Sequence, residues 1–120
     1  MAVSSGFTQY VIDQLAALGG VTARRMFGGA GLYLDDIFFA LISDETLYFK
    51  VDDSNREDYV SRGMAPFRPY AARPQVSLTY FAVPAEALED AEELVQWARR
   101  ALRVAQISRR KVRTAARRKR

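Results

Sequence analysis

Apolar residues recur near the start of the chain at Phe7, Val11, Leu15 and Leu18, offsets of four, four and three that bring them to one face of a helix with Tyr10 on its flank. Ser4 or Ser5 is placed to cap this helix and Gly19-Gly20 to end it. From Val21 the period shortens. Thr22–Met26 and Gly31–Leu34 read as short strands around Gly28-Gly29, Asp35-Asp36 as a tight turn, and the apolar run Ile37–Ser43 as a further strand. Beyond a second turn at Asp44-Glu45, Leu47, Phe49 and Val51 alternate with Tyr48 and Lys50, the pattern of a strand with one buried face. Short turns between closely spaced strands predict an antiparallel meander.

Asp52-Asp53-Ser54 offers caps for a short helix near Asn55–Arg62, stopped by Gly63. The stretch Met64–Pro74 is too rich in proline for helix or central strand and reads as a loop, after which Val76–Val83 returns to strand. Pro84 then opens the clearest helix of the chain. Glu86, Glu89, Asp90, Glu92 and Glu93 crowd its first turns and Arg99, Arg100 and Arg103 follow, the order the helix macrodipole favours. Its apolar stripe is Leu88, Ala91, Val95, Ala98, Leu102 and Ala105. These elements predict an α+β domain of two layers, an antiparallel sheet of about five strands with helices packed mainly on one face, and Leu15, Phe49, Leu78 and Val95 in one core.

With 120 residues, 49% hydrophobic and 27% charged, the chain can close one core without a disulfide or a metal. It contains neither cysteine nor histidine, which removes thiol nucleophiles, thiolate metal sites and every Ser-His or Cys-His arrangement. No catalytic residue, cofactor site or metal ligand is assigned. The longest apolar run, Ile37–Ile42, is six residues and cannot span a bilayer, and Met1–Phe7 has no signal-peptide character, so a cytoplasmic location is expected.

The net charge of +4 is unevenly divided. Eight basic residues, Arg109, Arg110, Lys111, Arg113, Arg117, Arg118, Lys119 and Arg120, close the chain without an intervening acid, leaving ten basic against fourteen acidic residues in 1–108. The expected organisation is therefore a domain over residues 1–106 and a basic, disordered tail over 107–120. Such a run attracts nucleic acid through phosphates, whereas no motif for reading sequence accompanies it.

Four pieces in register carry a family resemblance: Arg25-Met26-Phe27-Gly28-Gly29-Ala30-Gly31-Leu32-Tyr33, Leu47-Tyr48-Phe49-Lys50-Val51-Asp52, Gly63-Met64-Ala65-Pro66-Phe67, and Leu88-Glu89-Asp90 leading to Trp97-Ala98. Together they resemble the TfoX/Sxy N-terminal domain over about Phe7–Ala105. The resemblance implies a compact two-layer α+β unit and, from the family's best-known members, a bacterial regulator of competence genes acting with a transcription factor. Two-domain members add a helical C-terminal domain, and this chain is expected to be a single-domain member without it. The resemblance supplies no catalytic residues.

Several residues carry two readings. Gly28, Gly29 and Gly31 fit a bulge or tight turn between strands better than a phosphate cradle, since no Gly-Lys-Ser/Thr sequence follows them. Arg24 and Arg25 are candidates for a partner or anion contact, with surface pairing as the simpler role. Asp35-Asp36 and Asp52-Asp53 fit turns better than a metal cage. Trp97 either packs beneath the Met64–Pro74 loop or anchors a partner, with packing favoured. Tyr48, Lys50 and Phe81 are expected on the second face of the sheet, a candidate surface for a homodimer or protein partner. The function expected is a non-enzymatic regulatory or interaction domain with a tail attracted to nucleic acid. The alternative is a small-molecule-binding or enzymatic domain using Gly28–Gly31 with Arg24 and Arg25.

Overall fold

The alternating stretch forms the expected meander: β1 (Thr22–Met26), β2 (Gly29–Leu34), β3 (Ile37–Ser43), β4 (Thr46–Lys50) and β5 (Tyr80–Ala82) make one antiparallel sheet in sequence order. The computed structural model describes residues 5–26, 28–68 and 79–118. Helix α1 (Ser5–Gln14) leads through a 3-10 turn at Ala16–Leu18 into the sheet, α2 (Arg56–Val60) follows β4, and α3 (Ala85–Glu89) and α4 (Ala91–Arg118) close the chain. Val76–Leu78, expected to begin the last strand and to place Leu78 in the core, lie outside the described residues.

Two hairpins are tightened by turns whose residues all take the left-handed conformation: Asp35 and Asp36 at φ 50° and 65°, Asp44 and Glu45 at 51° and 55°. Positive φ at both central residues matches the right-handed twist of the strands on either side. Between β2 and β3 the register slips by one, so that Leu32 pairs with Ala40 and Tyr33 with Phe38, leaving Phe39 as a bulge. The bulge restores alternation: Ile37, Ala40 and Ile42 face the core beside Leu34, Leu32 and Ala30, while Phe38 and Leu41 face the other side. Gly29 and Gly31 accept this packing. A Cβ on Gly29 would lie 2.1 Å from the Ile42 carbonyl oxygen, and one on Gly31 would meet the Phe38 ring at 2.9 Å.

The core fills the space between the sheet and α1, α3 and α4, with Val11, Leu15, Leu32, Phe39, Phe49 and Leu94 fully enclosed. Phe81 belongs to this core, paired with Phe49 and packed on Tyr59, so the expectation that it sits on the second face is corrected. Tyr80 takes that place. The terminal helix also differs from expectation, since the chain breaks at Asp90 (φ −115°, ψ 104°), whose carboxylate accepts a hydrogen bond from the Glu93 N–H at 3.2 Å and caps α4. Its buried face is wider than the predicted stripe and includes Leu94, Trp97, Ala101 and Val104, whereas Ala91 is exposed. Gln14 ties α1 to this layer by donating to the Leu88 carbonyl at 2.9 Å.

The basic segment expected as a disordered tail after residue 106 continues α4 as helix to Arg118. Arginine, lysine and alanine, all strong helix formers, make up most of it, and no glycine or proline interrupts them. Cations at a helix C-terminus also oppose the negative end of the macrodipole.

Asn55 holds the junction of β4 and α2. Buried to 3% exposure, it accepts from the Asp52 N–H at 2.9 Å and donates to the Lys50 carbonyl at 3.2 Å.

Phe49→Ala, which empties a site of 0% exposure, should destabilise the domain by about 3–4 kcal/mol in urea denaturation, and Val95→Ala by about 1–3 kcal/mol. Losses near zero at both positions would mean that α4 does not pack on this face. Asn55→Ala leaves two backbone groups without their partner and should cost about 1–3 kcal/mol by the same measurement. Glu45→Gly should raise stability by about 0.5–1 kcal/mol, because relief of left-handed strain exceeds the added chain entropy of glycine. A fall in thermal midpoint on that substitution would contradict the turn geometry.

Candidate nucleic-acid interface

Burial along α4 ends at Ala105, which is 6% exposed, while Ile107 and Val112 are 36% and 68% exposed. Residues beyond Ala105 therefore extend a helix that the core has already nucleated. Arg99, Arg103 and Arg110, at offsets of four and seven, share one exposed face. Arg109, Lys111 and Arg113 are exposed around them, Arg117 and Arg118 fall in the last turn, and Lys119 and Arg120 lie outside the described residues. The cation row thus begins ten residues before the charge run, at Arg99, which in the sequence reads as part of the domain's own helix. Arg100 is engaged elsewhere, 3.5 Å from Asp58.

At the root of this extension α4 passes the end of the sheet and leaves a groove of about 260 Å³. Phe38, Lys50 and Tyr80 form one wall, and Ser108, Arg109 and Val112 the other. The register places Lys50 opposite Tyr80, and its ammonium lies 4.9 Å from that ring's centroid. Partial burial pushes the Lys50 pKa down, opposed by the nearby Asp52. Burial likewise pushes the Tyr80 hydroxyl above the ordinary phenol range. Asp52 itself is held below the usual carboxylate range, chiefly by the Ser54 hydroxyl, with Lys111 and Arg56 adding to the effect. Neither Lys50 nor Arg109 makes an ion pair among the described residues.

Phe38 continues this wall across the second face of the sheet. Its ring stacks on Tyr33 at 5.2 Å and tilts against Tyr80 at 5.8 Å. The Arg24 guanidinium lies 4.7 Å from the Tyr33 ring and 3.8 Å from Asp36, which also lines the groove. Arg25, on the neighbouring position of edge strand β1, points to the opposite side and is exposed. The two arginines are therefore not brought together. At Gly29 and Gly31 a side chain would meet the Ile42 carbonyl and the Phe38 ring, the close approach expected of glycine in a strand.

Trp97 lies away from this groove and is 4% exposed. Its indole N–H donates to Glu93 at 3.2 Å, its ring meets Tyr59 edge-on at 4.8 Å, and Arg62 and Arg100 lie over it at 5.1 and 6.0 Å. Trp97 is thus packed, but against Tyr59 of α2, Arg62 and its own helix, and none of these contacts is with the Met64–Pro74 loop, of which 69–74 lie outside the described residues. Phe38 and Tyr80 each read in the sequence as one more strand aromatic, and only the strand register together with the course of α4 joins them to Arg109.

Among the described residues, no helix is long and apolar enough to cross a membrane. No curated protein matches the chain. The family model for the TfoX N-terminal domain matches residues 13–105, from the end of α1 to the last buried residue of α4. The match covers the sheet, α2, α3, the buried part of α4 and all four of the quoted motifs, and the chain belongs to the TfoX N-terminal domain family.

Proposed function

We propose that this domain is a non-enzymatic interaction module that binds nucleic acid through phosphates along the extension of α4, without reading base sequence. The observation that carries the reading is the continuity of α4: one helix is clamped to the core by its buried face and carries exposed Arg99, Arg103, Arg109, Arg110, Lys111 and Arg113. A rod of cations on an otherwise acidic body directs a polyanion to one place. Chemistry of a different kind finds little support in a chain without thiol or imidazole. Membership of the TfoX N-terminal domain family supports extending the proposal to a cytoplasmic regulatory role beside a protein partner of the transcription machinery, in which the nucleic-acid contact would raise local concentration rather than choose the site.

Removal of Arg109–Arg120 should reduce affinity for a mixed-sequence DNA at least about tenfold at low salt, because most phosphate contacts go with it. The thermal midpoint should change little, since the buried stripe ends at Ala105. For the intact chain, affinity should be indifferent to sequence and fall steeply as salt is raised, as measured by fluorescence anisotropy. Full salt-sensitive affinity in the truncated protein would overturn this reading.

A further inference from the structure

The groove beside the extension narrows the class of nucleic acid. A duplex needs only the cation row, whereas the groove offers an aromatic plane between two cations, within reach only of a base whose own faces are uncovered. Phe38, which lines the groove, supplies that plane, its ring edge 2.9 Å from where a Cβ on Gly31 would lie. Lys50 and Arg109 stand on opposite walls of the same space, both without a carboxylate partner among the described residues. Val112, the most exposed large apolar side chain among the described residues, faces this space from the helix.

We propose that one unpaired base of single-stranded nucleic acid enters the groove between α4 and the sheet, stacking on Phe38 while Lys50 and Arg109 hold the flanking phosphates. The inference rests on the reading of α4 as a phosphate-binding helix and adds a preference for single strands over duplexes. Charge complementarity selects a polyanion over an apolar peptide, and the aromatic wall selects a base over a bare acidic chain. The helical cation row then carries the rest of the strand away from the groove. A phosphate beside Lys50 would also offset the desolvation that depresses its charge.

The test uses the full chain, a labelled single-stranded oligonucleotide, the duplex of the same sequence, and polyglutamate as competitor, with anisotropy read over a range of salt. The single strand should bind about tenfold more tightly than the duplex, the scale of one base–aromatic stack. Phe38→Leu should abolish the difference while leaving the salt slope unchanged, since no charge is altered. Lys50→Gln should reduce the preference and lower the slope by about one phosphate contact. A 2-aminopurine in the strand should change its fluorescence on binding the parent protein and not the Phe38→Leu protein. Thermal melts confirm folding, and Lys50→Gln decides the matter if Phe38→Leu does not fold.

Equal affinity for strand and duplex, a preference that survives both substitutions, or displacement by polyglutamate as effective as by unlabelled strand would overturn the groove while leaving the phosphate-binding helix standing. Absence of salt-dependent binding to either form would overturn both.

Discussion

The buried face of α4 against β3 and β4 is the contact on which the other elements depend. Ala98 and Ala101, fully buried at 0% exposure, let the helix axis come close to the sheet, and Leu94, Trp97, Leu102 and Val104 fill the margins. Around this contact α1 and the turn after it add Val11 and Leu15, and α3 is tied down through Leu88. The direction of α4 also decides where its last turns emerge. Because the helix crosses the sheet before its apolar face runs out, its first exposed cations on the inner side arrive beside Phe38 and Tyr80 rather than in open solvent.

Much of the meander is legible in the sequence because two kinds of signal coincide. Leu47, Phe49 and Val51 alternate with polar or amphipathic residues, and acidic pairs mark both turns. The bulge at Phe39 is hidden for the opposite reason: Ile37–Ile42 is apolar at every position, so no alternation exists from which a skipped residue can be counted. The same loss of parity affects the last strand, where aromatic residues at Tyr80 and Phe81 suit either face and only pairing with β4 assigns them. Asp90 breaks the terminal helix without glycine or proline, by accepting the hydrogen bond that starts the next one. Read as residue types alone, the acidic cluster around it looks like one helix N-terminus rather than two.

The candidate site divides along the same line. Its charge is visible in the sequence because a run of cations needs no fold to be recognised. Its shape is not, since Lys50, Phe38 and Tyr80 come from three strands and Arg109 from a helix 29 to 71 residues later. The glycines illustrate the difference: a Gly-Gly-Ala-Gly sequence suggests a cradle for a ligand, yet Gly29 makes room for the Ile42 carbonyl and Gly31 for the Phe38 ring. Gly31 nonetheless bears on the groove indirectly, since a Cβ there would collide with the Phe38 ring that lines it.

Helical order in the basic segment changes what its charges can do. A disordered arm would have to lose backbone freedom on meeting a polyanion, which weakens binding for each ordered residue. Here the costly first turn of helix is already formed within the buried part of α4, so each further residue needs only propagation, which arginine, alanine and lysine favour. Mutual repulsion among the cations opposes that propagation and is relieved when phosphates approach, so nucleic acid and helix should stabilise one another. The fixed rise of about 1.5 Å per residue then holds Arg103 and Arg110 about 10 Å apart along the axis. Anchorage in the core thereby turns a charge run into a ruler with one end beside an aromatic wall, and under the proposed reading that shared end would let a contact with phosphates and a contact with a base act on the same strand.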